Sequence, residues 1–353
     1  MSPESLLIFS TGPLCGTLVP NAGRVEVIAK SPLTGIYGDA NAGGFFGPEL
    51  KFAGWDAIVV TGQSPHPVYL AIADERADLR DASELWGLST SETETAIRRT
   101  WGNSRVKTAT IGPAGERLVR FAGIQLTPQR SAARCGLGTV MGSKRLKAIA
   151  VRGHGPVRVA NPVRFHDLAV DFHRRIRANA FFPAVSAHGT PGIVALMDPL
   201  GRFPTKNFQM GSFAEVDKID ADALEARAFV RHLSCFGCPV GCDKLYRLPD
   251  GPYAGLALSS VEYETLNTEG WSDLPAKQWL DEELPSLAER DGVPIASVGH
   301  TPAEVELLAA PLADAGADML ELVSYRAQDA APMVEAARRA VRVPVLIKVS
   351  ANW

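Results

Sequence analysis

Asn161-Pro162-Val163-Arg164-Phe165-His166-Asp167-Leu168-Ala169-Val170-Asp171-Phe172-His173-Arg174-Arg175-Ile176 is the stretch in which the apolar period of the chain changes. Asn161 suits a helix N-cap, because its side chain can accept from an amide of the first turn. Pro162 suits the first helical position, where a missing N–H costs nothing. Phe165, Leu168, Phe172 and Ile176 follow at three- and four-residue steps, the period of one helix face. The spacing predicts a helix from Asn161 onward, and Ala221 to Val230 reads as another.

Upstream of this point the period is that of strands. Leu6 to Phe9, Arg24 to Ile28, Ala57 to Val60, Val68 to Ile72, Val106 to Ile111, Val119 to Leu126 and Lys147 to Val151 are apolar or β-branched runs bounded by Gly, Pro and Asn. One helix interrupts them, with Ser91 and Glu94 as its capping box and Gly102 at its end. Downstream a third pattern begins. Pro294 to Val298, Asp318 to Val323 and Pro344 to Val349 read as strands. Helices over Thr301 to Leu312 and Asp329 to Val341 separate them, giving βαβαβ, the signature of a parallel sheet or a (β/α) barrel. The expected fold is α+β: a β-rich domain over residues 1–153, a partial helical domain over 154–275, and a partial barrel-like segment over 276–353.

The totals narrow the function. The 353 residues carry a net charge of −3, with 46% apolar and 21% charged residues, as in ordinary globular proteins. No basic stripe favours nucleic acid, and no run of 18 apolar residues favours a membrane span. Met1-Ser2-Pro3-Glu4-Ser5 has no basic start leading into an apolar core, so a cytoplasmic, reducing location is expected.

Three of the five cysteines fall in Cys235-Phe236-Gly237-Cys238-Pro239-Val240-Gly241-Cys242. Thiolates at such spacing can point at one centre, with Gly237 and Gly241 permitting the turn and Pro239 stiffening it. Zinc and an iron–sulfur cluster both suit this donor set. His232, three residues upstream, would serve zinc. A second constellation is Gly38-Asp39-Ala40-Asn41-Ala42-Gly43-Gly44-Phe45-Phe46-Gly47, with Arg24 before it and Arg130-Ser131-Ala132-Ala133-Arg134-Cys135-Gly136 far downstream. Glycine-rich backbone beside arginine suits phosphate; ordinary turns with surface arginines would read the same way. Neither stretch matches a P-loop or a dinucleotide fingerprint. Glu262-Tyr263-Glu264 offers a carboxylate that could move protons or simply a solvated end of an element.

Taken together, several blocks carry a resemblance. Lys30-Ser31-Pro32-Leu33-Thr34-Gly35, Asn41 to Gly44, Phe46 to Lys51, Ala53 to Ile58, Ile111 to Glu116, Met141 to Lys144, Gly189-Thr190, Asn207-Phe208 and Cys235 to Cys242 occur in this order. Over about residues 3–270 the chain resembles the aldehyde:ferredoxin oxidoreductase family. The resemblance implies tungsten or molybdenum held by two pyranopterins, a nearby 4Fe–4S cluster, a magnesium ion bridging the pterin phosphates, and ferredoxin as electron acceptor. It implies oxidation of a small aldehyde to a carboxylic acid, and a homodimer or a partner subunit. Arg24, Asn41, Gly43, Arg130, Ser131, Ala133 and Arg134 match positions that contact a pterin and its phosphate. Cys235, Cys238 and Cys242 match three cluster ligands, and Tyr263 and Glu264 match a pair beside the metal.

The departures set further expectations. The chain opens about fifty residues into the family pattern. The fourth cluster cysteine, the second pterin's acidic motifs and a catalytic histidine have no match here, and Cys135 stands where the family has glycine. The tail from about Asp281 resembles part of the FMN barrel of dihydroorotate dehydrogenases, with Lys348 at the flavin lysine's place but Val323-Ser324-Tyr325-Arg326 where Ser-Cys-Pro-Asn is usual. The chain alone is therefore expected to be inactive. A cluster- or pterin-carrying scaffold completed by a partner chain, a zinc-stabilised module and an FMN enzyme are the other readings.

Overall fold

The computed structural model describes residues 2–127, 130–205, 210–251, 254–259 and 261, and later only three strands and residues 332 and 335–339. The chain divides into two compact units, one built mainly on Met1–Pro249 and the other on Ser272–Trp353.

The first unit opens with β1 (Leu7–Thr11), β2 (Val25–Lys30), β3 (Tyr37–Ala42), α1 (Phe46–Phe52) and β4 (Ala57–Val60). These strands form an antiparallel sheet in the order β3-β2-β1-β4. Next come β5 (Val68–Ala73), β6 (Arg76–Asp81), α2 (Thr90–Trp101), β7 (Lys107–Thr110), α3 (Pro113–Glu116), β8 (Ile124–Thr127), β9 (Arg130–Ala132), α4 (Leu137–Ser143) and β10 (Leu146–Arg152). Their sheet runs β6-β5-β10-β7-β8-β9, with β10 parallel to β5. Helices α1 and α4 fill the space between the sheets: α1 packs on β1, β7 and β10, and α4 on β1, β2, β3 and β10. Both are buried nearly all round, which suits helices enclosed on every side. Leu7, Phe9, Phe46, Leu50, Leu137, Met141 and Ile149 meet in this core.

Two sequence expectations change here. The capping box of α2 is Ser89 with Glu92, two residues earlier than expected. Glu94 is buried against Arg98 and has no part in the cap. The stretch Gly38 to Ala42, which read as a phosphate cradle or as ordinary turns, is strand β3, because β2 pairs with it along its whole length; cross-strand pairing overrides the low strand propensity of Gly, Asp and Asn.

The rest of the first unit holds α5 (Pro162–Arg177), α6 (Phe182–His188), α7 (Val194–Met197) and α8 (Ala221–Ala228). The Asn161 side chain accepts from the Arg164 N–H at 3.0 Å, with Pro162 at the first helical position, as the spacing predicts. Three strands follow: β11 (Phe229–Leu233), β12 (Asp243–Arg247) and β13 (Ala257–Ser259), an antiparallel sheet in that order. This part is thus less helical than expected, and Phe229 and Val230 start a strand rather than ending a helix. The cysteine window is the loop of the β11–β12 hairpin.

In the second unit, β14 (Ile295–Val298), β15 (Met319–Ser324) and β16 (Val345–Val349) form a parallel sheet, as the βαβαβ pattern predicts. Of the intervening helices, only residues within 329–341 are partly described; the Thr301 capping box lies outside the described residues.

Candidate functional site

The site grows from the end of the first sheet. Arg24 stands just before β2 and Asn41 lies opposite Glu26 on β3. Arg24 Nε donates to the Asn41 side-chain carbonyl, and a second nitrogen reaches the Asn41 backbone carbonyl at 3.4 Å. Asn41 Nδ2 in turn donates to Glu26 at 2.6 Å. The three side chains share the outward face of the sheet because strand residues alternate between faces.

Past Asn41 the chain turns through Gly43 and Gly44 into α1, and the cysteine hairpin docks on this turn. The Phe236 N–H donates to the Gly44 carbonyl at 3.1 Å. The Phe236 ring meets Phe52 edge-on at 5.6 Å. A Cβ on Gly43 would fall 2.8 Å from Cys235 Sγ and 3.4 Å from an Arg24 nitrogen. Glycine alone leaves room for backbone, thiol and guanidinium to share this wall.

The hairpin loop owes its shape to two glycines with left-handed backbone, Gly237 at φ 63° and Gly241 at φ 61°. Its first turn closes with the Cys238 N–H on the Cys235 carbonyl at 3.2 Å. On the far side the Lys244 ammonium, 2% exposed, donates to the carbonyls of Cys242 and Ser186 at 3.0 Å each. Gly189, with φ 63°, lies against the Cys242 carbonyl, where a side chain would collide with it. The window is therefore gripped by the sheet end on one flank and by the end of α6 on the other.

Arg130, the first residue of β9, enters the same space. Its Nε lies 3.5 Å from Cys235 Sγ, and another nitrogen donates to Asp243 at 2.7 Å. Burial alone would lower the guanidinium pKa, but the Cys235 sulfur and the Asp243 carboxylate outweigh it and raise the value. A cavity of about 310 Å³ opens here, lined by Gly44, Phe45, Arg130, His232 and Asp243 among others.

Arg24, Asn41, Gly43, Arg130 and Cys235 are thus brought together. Ser131 is exposed, with its hydroxyl donating to the Ile124 carbonyl at 3.3 Å, and Ala133 and Arg134 lie exposed on the loop into α4. Cys235 and Cys238 are half-buried and Cys242 is exposed. Among the described residues, no three His, Cys, Asp or Glu side chains converge as they would around a single ion. His232 Nδ1 faces the Gly241 carbonyl at 3.3 Å. Tyr263 and Glu264 lie outside the described residues. Cys135 holds φ 64° and donates its thiol to the Asp39 carbonyl at 3.5 Å. The left-handed backbone gives a physical reason for glycine at that place. Sequence reasoning missed Asp243 and Lys244, although two charged residues directly after the last cysteine of the window were a visible signal.

The donor set fits a sulfur-bound cluster in kind, since three thiols share one glycine-shaped loop. The arginines, Asn41 and the glycine turn fit a phosphate-bearing group beside it.

Comparisons with known proteins point to one family. Residues 1–153 match the aldehyde ferredoxin oxidoreductase N-terminal domain, and residues 167–301 match domains 2 and 3 of that enzyme. The tungsten-containing aldehyde ferredoxin oxidoreductase of Pyrococcus abyssi is 47% identical over 249 residues, 70% of this chain and 41% of that protein. The WOR-like subunit of the aliphatic sulfonate oxidoreductase of Pyrococcus furiosus is 31% identical over 279 residues, 75% of this chain and 44% of that one. Among solved structures, the active site complex BamBC of benzoyl coenzyme A reductase with 1,5-dienoyl-CoA matches with a TM-score of 0.68 and 30% identity. It covers 89% of this chain and 48% of that one. The chain spans about two fifths of the length of the curated relatives it matches.

Proposed function

Because the chain belongs to the aldehyde ferredoxin oxidoreductase family, we propose that it forms one wall of an oxidoreductase site with two tenants. A phosphate-bearing pyranopterin that carries tungsten or molybdenum sits against the sheet end, and a 4Fe–4S cluster sits on the cysteine hairpin. The observation that carries this reading is the docking of the hairpin on the Gly43–Gly44 turn, with Arg24 and Arg130 beside Cys235. The proposed reaction is the oxidation of a small aldehyde: aldehyde and water give a carboxylic acid, two protons and two electrons. When bound, the metal and cluster would supply the redox chemistry, with ferredoxin as the proposed electron acceptor.

The chain's own residues have simpler tasks. Arg24 and Arg130 offset phosphate charge, the former held in place by Asn41 and Glu26. Gly43 keeps the wall thin. Cys235, Cys238 and Cys242 bind iron as thiolates. Ser131, Ala133 and Arg134 would complete the pterin contacts, where a magnesium ion could offset further phosphate charge, and Tyr263 with Glu264 would handle protons at the metal. The site belongs to a β-rich domain over 1–153 and a cysteine-bearing domain over 154–275, with 276–353 a separate segment, and works in the reducing cytoplasm. The described residues include no helix long and apolar enough to cross a membrane.

The test is anaerobic production in a host that makes tungstopterin, followed by assay for bound pterin and metal. The expected result is iron plus a pterin that fluoresces once released, the latter lost in Arg24→Ala and Gly43→Val. One zinc per chain with neither iron nor pterin would overturn the reading and leave a zinc-stabilised module. A second arrangement, a scaffold whose site another chain completes, is supported by relatives that are named as a subunit and as part of a complex. Mixing the loaded chain with candidate partners and assaying aldehyde-dependent viologen reduction separates the two.

A further inference from the structure

Asp243 is a buried carboxylate, its side chain 3% exposed, at the first position of β12. It holds a guanidinium that comes from a different sheet 113 residues earlier in the chain. That guanidinium also reaches the Cys235 sulfur at 3.5 Å. The residues at the two ends of the cysteine hairpin therefore meet on one arginine from the β-rich sheet.

We infer that Asp243 is a positioning residue that locks Arg130 against Cys235, so that the hairpin is fixed to the sheet and its first thiolate has a permanent charged donor. This deepens the proposed function and rests on it only where a cluster is concerned. Three physical effects act together here. A buried carboxylate left without a cation is costly, so Asp243 and Arg130 hold each other firmly. The planar fork of arginine can donate to a carboxylate and a sulfur at once, which a lysine ammonium does with far less directional control. Hydrogen bonds to cluster sulfurs are among the terms that set a cluster's potential, and a donor that stays put favours the reduced, more negative state.

The test uses the full chain in two arms. In the metal-free arm, hydrogen exchange is followed across residues 235–242. Asp243→Asn and Arg130→Gln are each expected to speed exchange there about tenfold or more, the loss set by a charged hydrogen bond, while β1 and β10 keep their protection. In the reconstituted arm, the cluster potential is measured by a redox titration followed by electron paramagnetic resonance. Arg130→Gln is expected to lower the potential, and Asp243→Asn to lower it as well, with iron content unchanged. The sign decides the matter. Removing the negative charge of Asp243 by itself would raise the potential, so a fall reports the release of Arg130. Arg130→Lys is expected to restore the charge but only part of the exchange protection. A raised potential in Asp243→Asn, or unchanged exchange in both variants, would overturn the inference. Absence of any cluster in the wild-type chain would strike at the proposed function instead, and the exchange arm would still decide the lock.

Discussion

The two parts of the first unit bury their apolar residues very differently. In the β-rich part, α1 and α4 lie between two sheets, and Phe9, Phe46, Leu50, Leu137 and Ile149 are fully enclosed. In α5 only Ala169 is buried. Leu168 and Phe172 are each 50% exposed, and Val163, Phe181, Leu196 and Leu200 are more exposed still. Rigidity in this unit therefore comes from the closed core between the sheets. The sheet end that carries Arg24, Asn41, Gly43 and Arg130 is anchored in a closed core. The cysteine hairpin borrows its rigidity through its contacts with that end and with α6.

The largest expected effect falls inside the closed core. Lys147 is fully buried and pairs with Glu116, which also accepts the Gly87 N–H at 2.8 Å. Lys147→Met strands that carboxylate and is expected to cost about 3–5 kcal/mol in denaturant unfolding, with Glu116→Leu recovering much of it in the double variant. A loss below about 1 kcal/mol would show the core to be more open than described.

Next comes a contrast of thiols. Burial pushes the Cys15 thiol up to about 11, while the nearby Lys51 charge pulls it down less strongly. At pH 8 its thiolate fraction should be roughly a hundredfold below that of an ordinary thiol. In the metal-free chain, iodoacetamide should therefore label Cys235, Cys238 and Cys242 first, as read by mass spectrometry. Because the folded value lies above the unfolded one, stability should fall as pH rises from 9 toward about 11, and Cys15→Ala should remove that slope. Early labelling of Cys15 would break the contrast.

Cys135→Gly relieves a left-handed backbone at φ 64° and should raise stability by about 0.5–1 kcal/mol, measured as a higher denaturation midpoint. The smallest effect belongs to α5. Phe172→Ser should change stability by no more than about 0.5 kcal/mol, because half of that side chain is already exposed. A loss near 2 kcal/mol that depends on protein concentration would mean that a second chain covers this face.

Much of this was legible in the residues, for reasons that can be named. Ala57–Val60 and Val345–Val349 announce themselves as β-branched runs, and Asn161-Pro162 carries its own cap chemistry. The left-handed turns at Gly237 and Gly241 were readable because few other residues take that backbone without strain. What stayed hidden depends on distant partners. Tyr37–Ala42 is a strand only because β2 lies beside it. Helices α1 and α4 were missed because glycine suggests a break in a helix, whereas Gly47, Gly138 and Gly142 are there for close packing: a Cβ on Gly138 or Gly142 would strike a backbone carbonyl of Gly123 or Gly115. The family blocks pointed to Arg130 and Cys235, but only the fold shows them meeting over Asp243.

What the cysteine hairpin binds decides between an iron–sulfur site and a zinc module. Anaerobic reconstitution with iron and sulfide, followed by iron and acid-labile sulfide analysis, should yield about four of each per chain, falling close to zero in Cys238→Ser. One zinc and no iron, or an iron content that Cys238→Ser leaves unchanged, would contradict it.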